Sequence, residues 1–387
     1  MRRGNKEGTI YYNEKRKRYE GQIRYVKPDG KYGRKLFTGH SQKEVMQKIK
    51  DFNEQCDNPG AEMTVKEWMD KWLNEYKRPE IKIKTYERYR CAIVLHINHY
   101  IGKELLKNLT TLKIQELINK LTTAPAKKGG YLAPRTINSV RRILISAFND
   151  AVTYDILPKN PALGTKPVRV EKTAMHILSK KEAAELLHVA RKADYGSYMV
   201  IKLALETGMR IGEIFGLQWK NIDLEKKNLL VAGTIVHTNH TNIYQPTGKT
   251  KSSYRRIPFS SALKTTLMEY RAWQQREKEK WGEMYTDSDF VITKPLGGFS
   301  DPSNFSARTF KKLLDKAGIT RQFRVHDLRH THATWLLEAG INVKVISERL
   351  GHSSCRITMD TYSHVMQTMQ DKAVEMLEQI NAELDEK

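Results

Sequence analysis

The stretch VHDLRHTHATWLLEAG, residues 325–340, begins as a helix with two polar side chains on one face. His326 and Arg329 are three residues apart, so they project from the same side of the first helical turns. Gly340 supplies the C-terminal stop. A His-x-x-Arg pair is common in proteins, and we therefore interpret the stretch together with the segments before and after it.

The segment ETGMRIGEIFGL, residues 206–217, places an arginine at a helix start. Gly208 allows a sharp turn, and Arg210 then opens a helix. The apolar face of that helix consists of Ile211, Ile214, Phe215 and Leu217. Arg210 is either the partner of Glu213 in a structural ion pair or a clamp for a phosphate group. Taken alone, the segment favours the ion pair.

Two further polar positions follow the His-x-x-Arg stretch. In VISERLGHSS, residues 345–354, Gly351 is the C-cap of a helix and His352 follows it in a tight turn. Ten residues on, Tyr362 lies in MDTYSH among polar neighbours, where a core tyrosine would need apolar ones. We therefore expect Tyr362 outside the hydrophobic core.

With these polar residues in this order along the sequence, the chain resembles the tyrosine recombinases of the phage integrase family. The motifs that carry the resemblance are TGMRIGE, TGKTKSSYRRIP, HDLRHTHAT, LGHSS and DTYSH. The resemblance covers the whole chain and is strongest to the integrases of Gram-positive conjugative transposons. It implies a catalytic set made of Arg210, Lys249, His326, Arg329, His352 and Tyr362. His332 stands where such proteins more usually carry an apolar or aromatic residue, which concerns local packing.

The chemistry of strand cleavage explains why the family needs these residue types. Attack on a DNA phosphodiester gathers negative charge on two non-bridging oxygens, and arginines match phosphate with planar, permanently charged forks. The resemblance therefore implies that Arg210 and Arg329 clamp these oxygens, with a hydrogen bond from His352. It implies neither a metal ion nor any other cofactor.

The resemblance also implies how protons move. Tyr362 is the nucleophile, His326 accepts its proton, and Lys249 protonates the departing 5′-oxygen. Lys251 competes for this acid role, but Lys249 matches the family's hairpin lysine better. Glu213 and Asp223 are interpreted as residues that orient Arg210 and the hairpin.

Composition agrees with a nucleic-acid partner. The 387 residues exceed one domain, and Lys plus Arg outnumber Asp plus Glu by 67 to 44, a net charge of +23. Cys56, Cys91 and Cys355 lack metal-ligand or disulfide spacing. No signal peptide or membrane span is predicted. We expect a bacterial cytoplasmic protein, in the nucleoid when it is bound to DNA.

Residues 1–56 are predicted to form a small α+β domain that binds arm-type DNA sites. The first 50 residues carry a net charge of +10, from fifteen basic and five acidic side chains. Three strands are predicted at 9–12, 19–26 and 31–37, with a turn at Pro28-Asp29-Gly30 and a helix capped by Ser41 and Glu44. The residues predicted to share one DNA-binding face are Arg24, Lys31, Arg34 and Lys35. The alternative is a basic sheet that is merely solvated.

Residues 61–158 are predicted to form an all-α, four-helix core-binding domain. A linker around 57–60 precedes it, and Thr64 with Glu67 forms a capping box at its start. The remaining helices are predicted at 86–101, 112–121 and 134–154. Its DNA-binding candidates are Lys82, Lys84, Arg88, Arg141 and Arg142, although charged faces of this kind are often only solvated.

Residues 173–387 are predicted to form a mostly α catalytic domain with a small β-sheet, after a proline-rich linker at 157–172. Strands are predicted at 229–236 and 254–259. After Tyr362 the tail carries a net charge of −4 and repeats apolar residues at helical spacing. The resemblance implies that this tail packs on a neighbouring protomer of a tetramer around two DNA duplexes. The alternative is packing on its own domain.

The predicted function is site-specific recombination. The chain is expected to cut and rejoin DNA strands through a 3′-phosphotyrosine intermediate, and so to integrate and excise a mobile element. An accessory protein of the excisionase type is a candidate partner. Two alternatives remain: DNA relaxation as by a type IB topoisomerase, and a catalytically silent DNA-binding regulator.

Overall fold

The computed structural model describes residues 9–26, 32–56, 62–126, 129–171, 175–238, 241–246 and 254–385. The chain folds into two compact units, Met1–Lys172 and Thr173–Lys387. The first unit contains two separate hydrophobic clusters, one in the N-terminal sheet and one in a helical bundle. In the described part of the chain, no helix is both long and apolar enough to cross a membrane.

The N-terminal sheet is antiparallel and packs on one helix. It contains β1 (Thr9–Asn13), β2 (Arg18–Val26) and β3 (Tyr32–Gly39), and α1 (Gln42–Cys56) covers one face. Ile23, Val45 and Ile49 form the buried contact. Gly21 is needed there, since a Cβ atom on it would come within 2.6 Å of Val45 Cγ1. The predicted sheet and helix are confirmed, and the predicted turn at 28–30 lies outside the described residues.

Four helices follow, as predicted. They are α2 (Val65–Lys71, continued by the π-helical Trp72–Lys77), α3 (Ile83–Ala92, continued through Ile93–Asn98 to His99–Ile101), α4 (Thr111–Thr122) and α5 (Pro134–Thr153). The predicted Thr64–Glu67 capping box is present at the start of α2. Trp68 and Trp72 are fully buried, and the indole N–H of Trp68 donates to the Ala147 carbonyl at 3.1 Å. This bond anchors α2 to α5.

The second unit is mostly helical. Its helices are α6 (Lys180–Ala193), α7 (Tyr195–Thr207), α8 (Ile211–Phe215), α9 (Ser261–Trp281), α10 (Pro302–Asn304, continued through Phe305–Thr309 to Phe310–Lys316), α11 (Val325–Glu338), α12 (Val343–Leu350) and α13 (Cys355–Asp385). The hydrophobic core includes Leu203, Phe215, Leu263 and Phe310. The predicted mostly α composition is therefore confirmed.

The strands of this unit form three small antiparallel sheets within the described residues, where one was predicted. Their orders are β4-β5-β8, β6-β7 and β10-β9, with β4 (Ile222–Asp223), β5 (Asn228–Val231), β6 (Gly233–Thr238), β7 (Thr241–Pro246), β8 (Arg255–Pro258), β9 (Thr293–Lys294) and β10 (Gly297–Phe299). The strand predicted at 229–236 is divided at Ala232 because its two halves pair with different partners, β8 and β7.

Candidate functional site

Gly208 shapes the entry to the site. It ends α7 in the left-handed conformation, with φ of 66°, and leaves Arg210 as the N-cap of α8. A Cβ atom at Gly208 would lie 2.6 Å from His332 Cδ2 and 2.7 Å from Leu350 Cδ2. A glycine is therefore required both for the backbone angle and for the close approach of α11 and α12.

Glu213 is buried between two arginines. Its Oε1 accepts from Arg210 Nη1 at 2.8 Å, and its Oε2 accepts from Arg255 Nη2 at 2.9 Å. Burial alone would raise the pKa of Glu213, but the hydrogen bonds and charges of Arg255 and Arg210 outweigh it and hold this pKa below the ordinary value. The ion pair considered for Arg210 is therefore present. Arg210 also donates to the Gly351 carbonyl at 3.2 Å and remains partly exposed.

Arg255 was not singled out from the sequence. It is buried on β8, and its Nε donates to the Arg349 carbonyl at 2.7 Å. The signal was present in TGKTKSSYRRIP, because Arg255 and Ile257 alternate with exposed residues along β8 and thus share the buried face. Arg255 connects the strand, the Glu213 carboxylate and α12.

Arg329 is a buried cation with an unused donor. Its side chain projects from α11, and Nη1 donates to the Gly208 carbonyl at 2.8 Å. Nη2 is buried without a hydrogen-bond partner among the residues that the structure describes. Burial and the neighbouring Arg210 charge lower the pKa of Arg329 to about 9, so it stays protonated at neutral pH. A buried donor of this kind is best satisfied by an anion.

His352 follows the left-handed Gly351, as the sequence predicted. Its Nδ1 lies 2.8 Å from Thr358 Oγ1. Burial and the charges of Arg329 and Arg210 lower the pKa of His352 to about 4. The imidazole is therefore neutral at physiological pH, and a neutral ring can still donate one hydrogen bond.

Tyr362 is buried, contrary to the sequence-based expectation. Only 1% of its surface is exposed, and it packs in a cluster with Ala333, Leu337, Ile346 and Leu350. Its sequence neighbours are polar, but the apolar surroundings come from α11 and α12. Burial raises the pKa of Tyr362 to about 12, although the Arg329 charge opposes this rise. Its backbone is non-helical inside α13, with φ of −113° and ψ of 20°.

The hydroxyl group of Tyr362 contacts His330. His330 Nδ1 lies 2.9 Å from Tyr362 Oη. His326, the predicted proton acceptor, contacts His330 edge-to-face with 4.9 Å between ring centroids. Burial and the charges of His330 and Arg329 lower the pKa of His326 to about 4. His330 was missed although it lies four residues after His326, the spacing that places both on one helical face.

His332 has a packing role. Its Nδ1 lies 2.7 Å from the Leu205 carbonyl, and its Nε2 accepts from Arg349 Nε at 3.1 Å. Arg349 also donates to the Glu206 carbonyl at 2.8 Å. This histidine thus joins α7, α11 and α12. The unusual residue type at this position therefore concerns local packing, as expected.

The predicted lysines Lys249 and Lys251 lie outside the described residues. Asp223 accepts from the Lys226 backbone N–H at 2.8 Å, so it stabilises the turn between β4 and β5. Within the described ranges, no three His, Cys, Asp or Glu side chains are grouped so that they could hold a metal ion.

The basic residues predicted to share one face of the N-terminal sheet lie on both faces, and DNA contact by them, including the exposed Lys35, stays a prediction. Lys35 pairs with the buried Ile23, and its Nζ lies 4.0 Å from the ring centroid of Phe52 on α1. It therefore belongs to the face that the helix covers, because adjacent residues of a strand point to opposite sides. Arg34 is exposed and pairs in register with Arg24, whose side chain is not described; Lys31 lies outside the described residues.

The candidates in the helical bundle divide into two groups. Lys82, Lys84, Arg88 and Arg142 are exposed. Arg141 instead makes three hydrogen bonds to Thr165, including one of 2.6 Å from Nη2 to the carbonyl. This engagement favours a structural role for Arg141, which ties α5 to the segment that follows it. DNA contact by the exposed group stays a prediction.

Comparison with known proteins gives a consistent picture. Residues 176–369 match the phage integrase family, and residues 64–122 match the N-terminal SAM-like domain of phage integrases. The chain is 32% identical to a XerC-like tyrosine recombinase of Caldanaerobacter subterraneus, with 90% of this chain and 92% of that protein covered.

Two solved structures share the fold. The Tn1549 transposon integrase in complex with transposon right-end DNA aligns with a TM-score of 0.67 and 21% identity, covering 80% of this chain and 99% of that one. A lambda integrase tetramer bound to a Holliday junction aligns with a TM-score of 0.55 and 19% identity, covering 93% and 96%.

Proposed function

Because this chain belongs to the phage integrase family and is a tyrosine-type site-specific recombinase, we propose that Tyr362 is its nucleophile and forms a covalent bond to the 3′-phosphate of a cut DNA strand. The reaction integrates and excises a mobile element. The observation that carries this assignment is the buried Arg329, whose Nη2 donor has no partner in the described part of the chain and whose positive charge acts on Tyr362.

The arginines provide the phosphate site. A non-bridging oxygen of the scissile phosphate satisfies Arg329 Nη2, while Arg210 contacts the second oxygen with the donors that Glu213 does not hold. His352 donates to the same phosphate, as the family resemblance implies. Negative charge that develops in the transition state is thereby met by fixed cations, whose geometry is set before DNA arrives.

Strand exchange then needs no external energy source. Tyr362 Oη bonds to phosphorus as the bond to the 5′-oxygen breaks, and Lys249 gives that oxygen a proton. The phosphotyrosine bond keeps the energy of the cleaved phosphodiester. A 5′-hydroxyl from another strand can therefore attack it, release the tyrosine and complete the joint.

DNA and further copies of the chain are the proposed partners. The Tn1549 integrase structure is described as a complex with transposon DNA, and the lambda integrase structure as a tetramer on a Holliday junction. The strongly basic N-terminal segment and the catalytic arginines of this chain suit the same kind of partner. We propose an accessory protein of the excisionase type as an additional partner in excision.

The tail supports assembly through its exposed apolar residues. Those described as exposed are Val374, Met376, Leu377, Ile380 and Leu384, between 46% and 66%. Covering apolar side chains of such exposure with another surface lowers the free energy of the system. A neighbouring protomer is the proposed surface, and the acidic charge of the tail argues against DNA in that place.

Formation of a protein–DNA adduct tests the function. The protein is incubated with nicked oligonucleotides from candidate element ends, and the products are separated under denaturing conditions. Wild-type protein and the exposed control Tyr131→Phe should form a covalent adduct, whereas Tyr362→Phe should bind DNA equally well and form none. An adduct in Tyr362→Phe would assign the chemistry to a different nucleophile. Relaxation of supercoiled DNA without exchange of partners would favour the topoisomerase alternative.

A further inference from the structure

His330 contacts Tyr362 but has no part in the catalytic roles that the family resemblance implies. Tyr362 Oη lies 2.9 Å from His330 Nδ1, within hydrogen-bond distance. The two rings meet edge-to-face with 5.8 Å between centroids. Since only 1% of the tyrosine surface is exposed, water has little access to its hydroxyl group, and His330 is in position to receive its proton.

We infer that His330 holds the Tyr362 hydroxyl and accepts its proton when the oxygen attacks phosphorus. This inference rests on the proposed role of Tyr362 as the nucleophile. The O–H bond of the phenol breaks and an Nδ1–H bond forms on His330, while Oη bonds to phosphorus and the 5′-oxygen leaves. When a 5′-hydroxyl later attacks the phosphotyrosine, Oη departs and takes the proton back.

The protonation state of His330 is suited to this task. Burial lowers the pKa of His330, and the charges of Arg329 and Arg324 act in the same direction, while Asp327 opposes them. The imidazole is therefore neutral at pH 7, and in the tautomer with a bare Nδ1 it accepts the hydrogen bond. The other titratable rings beside it are His326 on α11 and His352 after α12.

His326 is less well placed to take this proton. His330 occupies the hydrogen-bonding position at Tyr362 Oη, and His326 packs against the His330 ring. His326 lies one helical turn earlier, and the charges of both arginines of the proposed phosphate site, Arg329 and Arg210, lower its pKa. We therefore assign His326 a contact with the phosphate and His330 the contact with the nucleophile.

The first test compares His330→Ala with His326→Ala in the nicked-oligonucleotide assay. Adduct formation by His330→Ala at pH 7 should be slower by about 100-fold, the lower end of what a positioned base contributes. Its rate should keep rising with pH up to about pH 9, since hydroxide replaces the lost base, whereas the wild-type rate should level off above the pKa of His330. Wild-type-like rates and pH dependence in His330→Ala would overturn the inference.

Added imidazole separates a proton acceptor from a structural contact. It should restore a substantial part of the rate of His330→Ala, because it fits the space that the side chain leaves and can bind the proton. It should restore little to His326→Ala. Rescue of His326→Ala alone would return the proton to His326. DNA affinity within about twofold of wild type verifies that each variant is folded and still binds its substrate.

A fluorinated tyrosine at position 362 provides a second, independent test. Its phenol is more acidic and depends less on a base, so the substitution should accelerate His330→Ala more than it accelerates the wild-type protein. Equal effects in both proteins would show that His330 does not receive the proton.

A measurement without DNA distinguishes this inference from the proposed function. In protein labelled with ¹⁵N-histidine, the Nδ1 resonance of His330, assigned by its loss in His330→Gln, should shift when Tyr362 is replaced by phenylalanine. An unchanged resonance would exclude the hydrogen bond, even in a protein that recombines normally. Normal hydrogen bonding in a protein that forms no adduct would instead count against the proposed function alone.

Discussion

Arg255 and Glu213 form an ion pair, 2.9 Å between Nη2 and Oε2, in which both side chains are buried. The same carboxylate holds Arg210 from the other side. Arg255 itself is fixed by the Arg349 carbonyl. The position of Arg210 is thus determined by a chain of contacts that reaches from β8 to α12, well beyond its own helix.

Replacing Glu213 with glutamine should therefore affect both folding and catalysis. The change leaves Arg255 buried without a counter-charge, and loss of one partner of a buried pair typically costs about 3–5 kcal/mol of unfolding free energy. The melting temperature and the rate of adduct formation should both decrease. The control is Glu225→Gln, whose exposed pair with Lys264 contributes little. A stable Glu213→Gln protein with normal cleavage would show that Arg210 does not depend on this network.

Stability should fall in acid because of His332. Burial first, and then the charge of Arg349, lower the pKa of His332 to about 4, while an unfolded histidine titrates near 6.5. Since the folded pKa is the lower one, its stabilising contribution is complete above pH 6.5 and is lost as the pH falls towards 4. Protonation would also place a new N–H against Arg349 Nε.

The apparent melting temperature of the full chain measures this effect. It should decline between pH 6.5 and 4.5, and His332→Phe should decline less over the same interval. The exposed His188 serves as the control position, at which His188→Phe should leave the wild-type pH dependence in place. Identical curves for all three proteins would assign the acid sensitivity to other groups.

Lys249 should be dispensable when the leaving group needs no proton. Lys249→Ala should be severely slowed on ordinary DNA and largely rescued on DNA with a 5′-bridging phosphorothioate, because a thiolate leaves without protonation. Arg329→Ala should gain much less, since it lacks charge stabilisation. Equal rescue of both variants would make Lys249 an electrostatic contact, and rescue of Lys251→Ala alone would transfer the acid role to Lys251.

Removal of residues 1–55 should abolish binding to one class of DNA site and spare binding at the site of strand exchange. The segment carries its own sheet, helix and hydrophobic cluster, and its basic charge predicts binding that weakens steeply with salt. Gel-shift titrations at several salt concentrations measure both sites. Loss of binding at the exchange site in a folded, truncated protein would place the domain boundary elsewhere.

Polar substitutions in the tail should impair assembly without impairing folding. Leu377→Gln and Leu384→Gln remove exposed apolar groups, and each should weaken tetramer formation on DNA by about tenfold if a neighbouring protomer buries them. Leu112→Gln, at a similarly exposed leucine of the bundle, is the control. Analytical ultracentrifugation with DNA gives the assembly state. Unchanged assembly together with a lower melting temperature would indicate that the tail packs on its own domain.

Local patterns predicted the secondary structure well. Capping boxes and apolar spacing located the helices to within a few residues, and the turn at Gly208 and the cap at Gly351 were visible in the sequence. These features depend on neighbouring residues along the chain. The charge of the arginines and the order of the motifs were sufficient to recognise the family, because both are properties of the sequence itself.

Contacts between distant segments could not be predicted in this way. Tyr362 was expected outside the core because its sequence neighbours are polar, yet α11 and α12 enclose it. Arg34 and Lys35 are adjacent basic residues in the sequence, but strand alternation puts them on opposite faces of the sheet. The hydrogen bonds that single out His330 and Arg255 join them to Tyr362 and Glu213, 32 and 42 residues away. Such pairings depend on how the elements pack.

The break in α13 falls on Tyr362 itself, so the proposed nucleophile lies at the junction of two helical segments. At a rise of about 1.5 Å per residue, Leu377, one of the exposed apolar residues of the tail, lies roughly 22 Å further along the same helix. If a neighbouring protomer covers this end of the helix, as proposed, its contact is joined by continuous helix to the residue proposed as the nucleophile. Such a connection would couple the proposed contact between protomers to the position of the Tyr362 hydroxyl group, and so link cleavage by one protomer to the state of its neighbour.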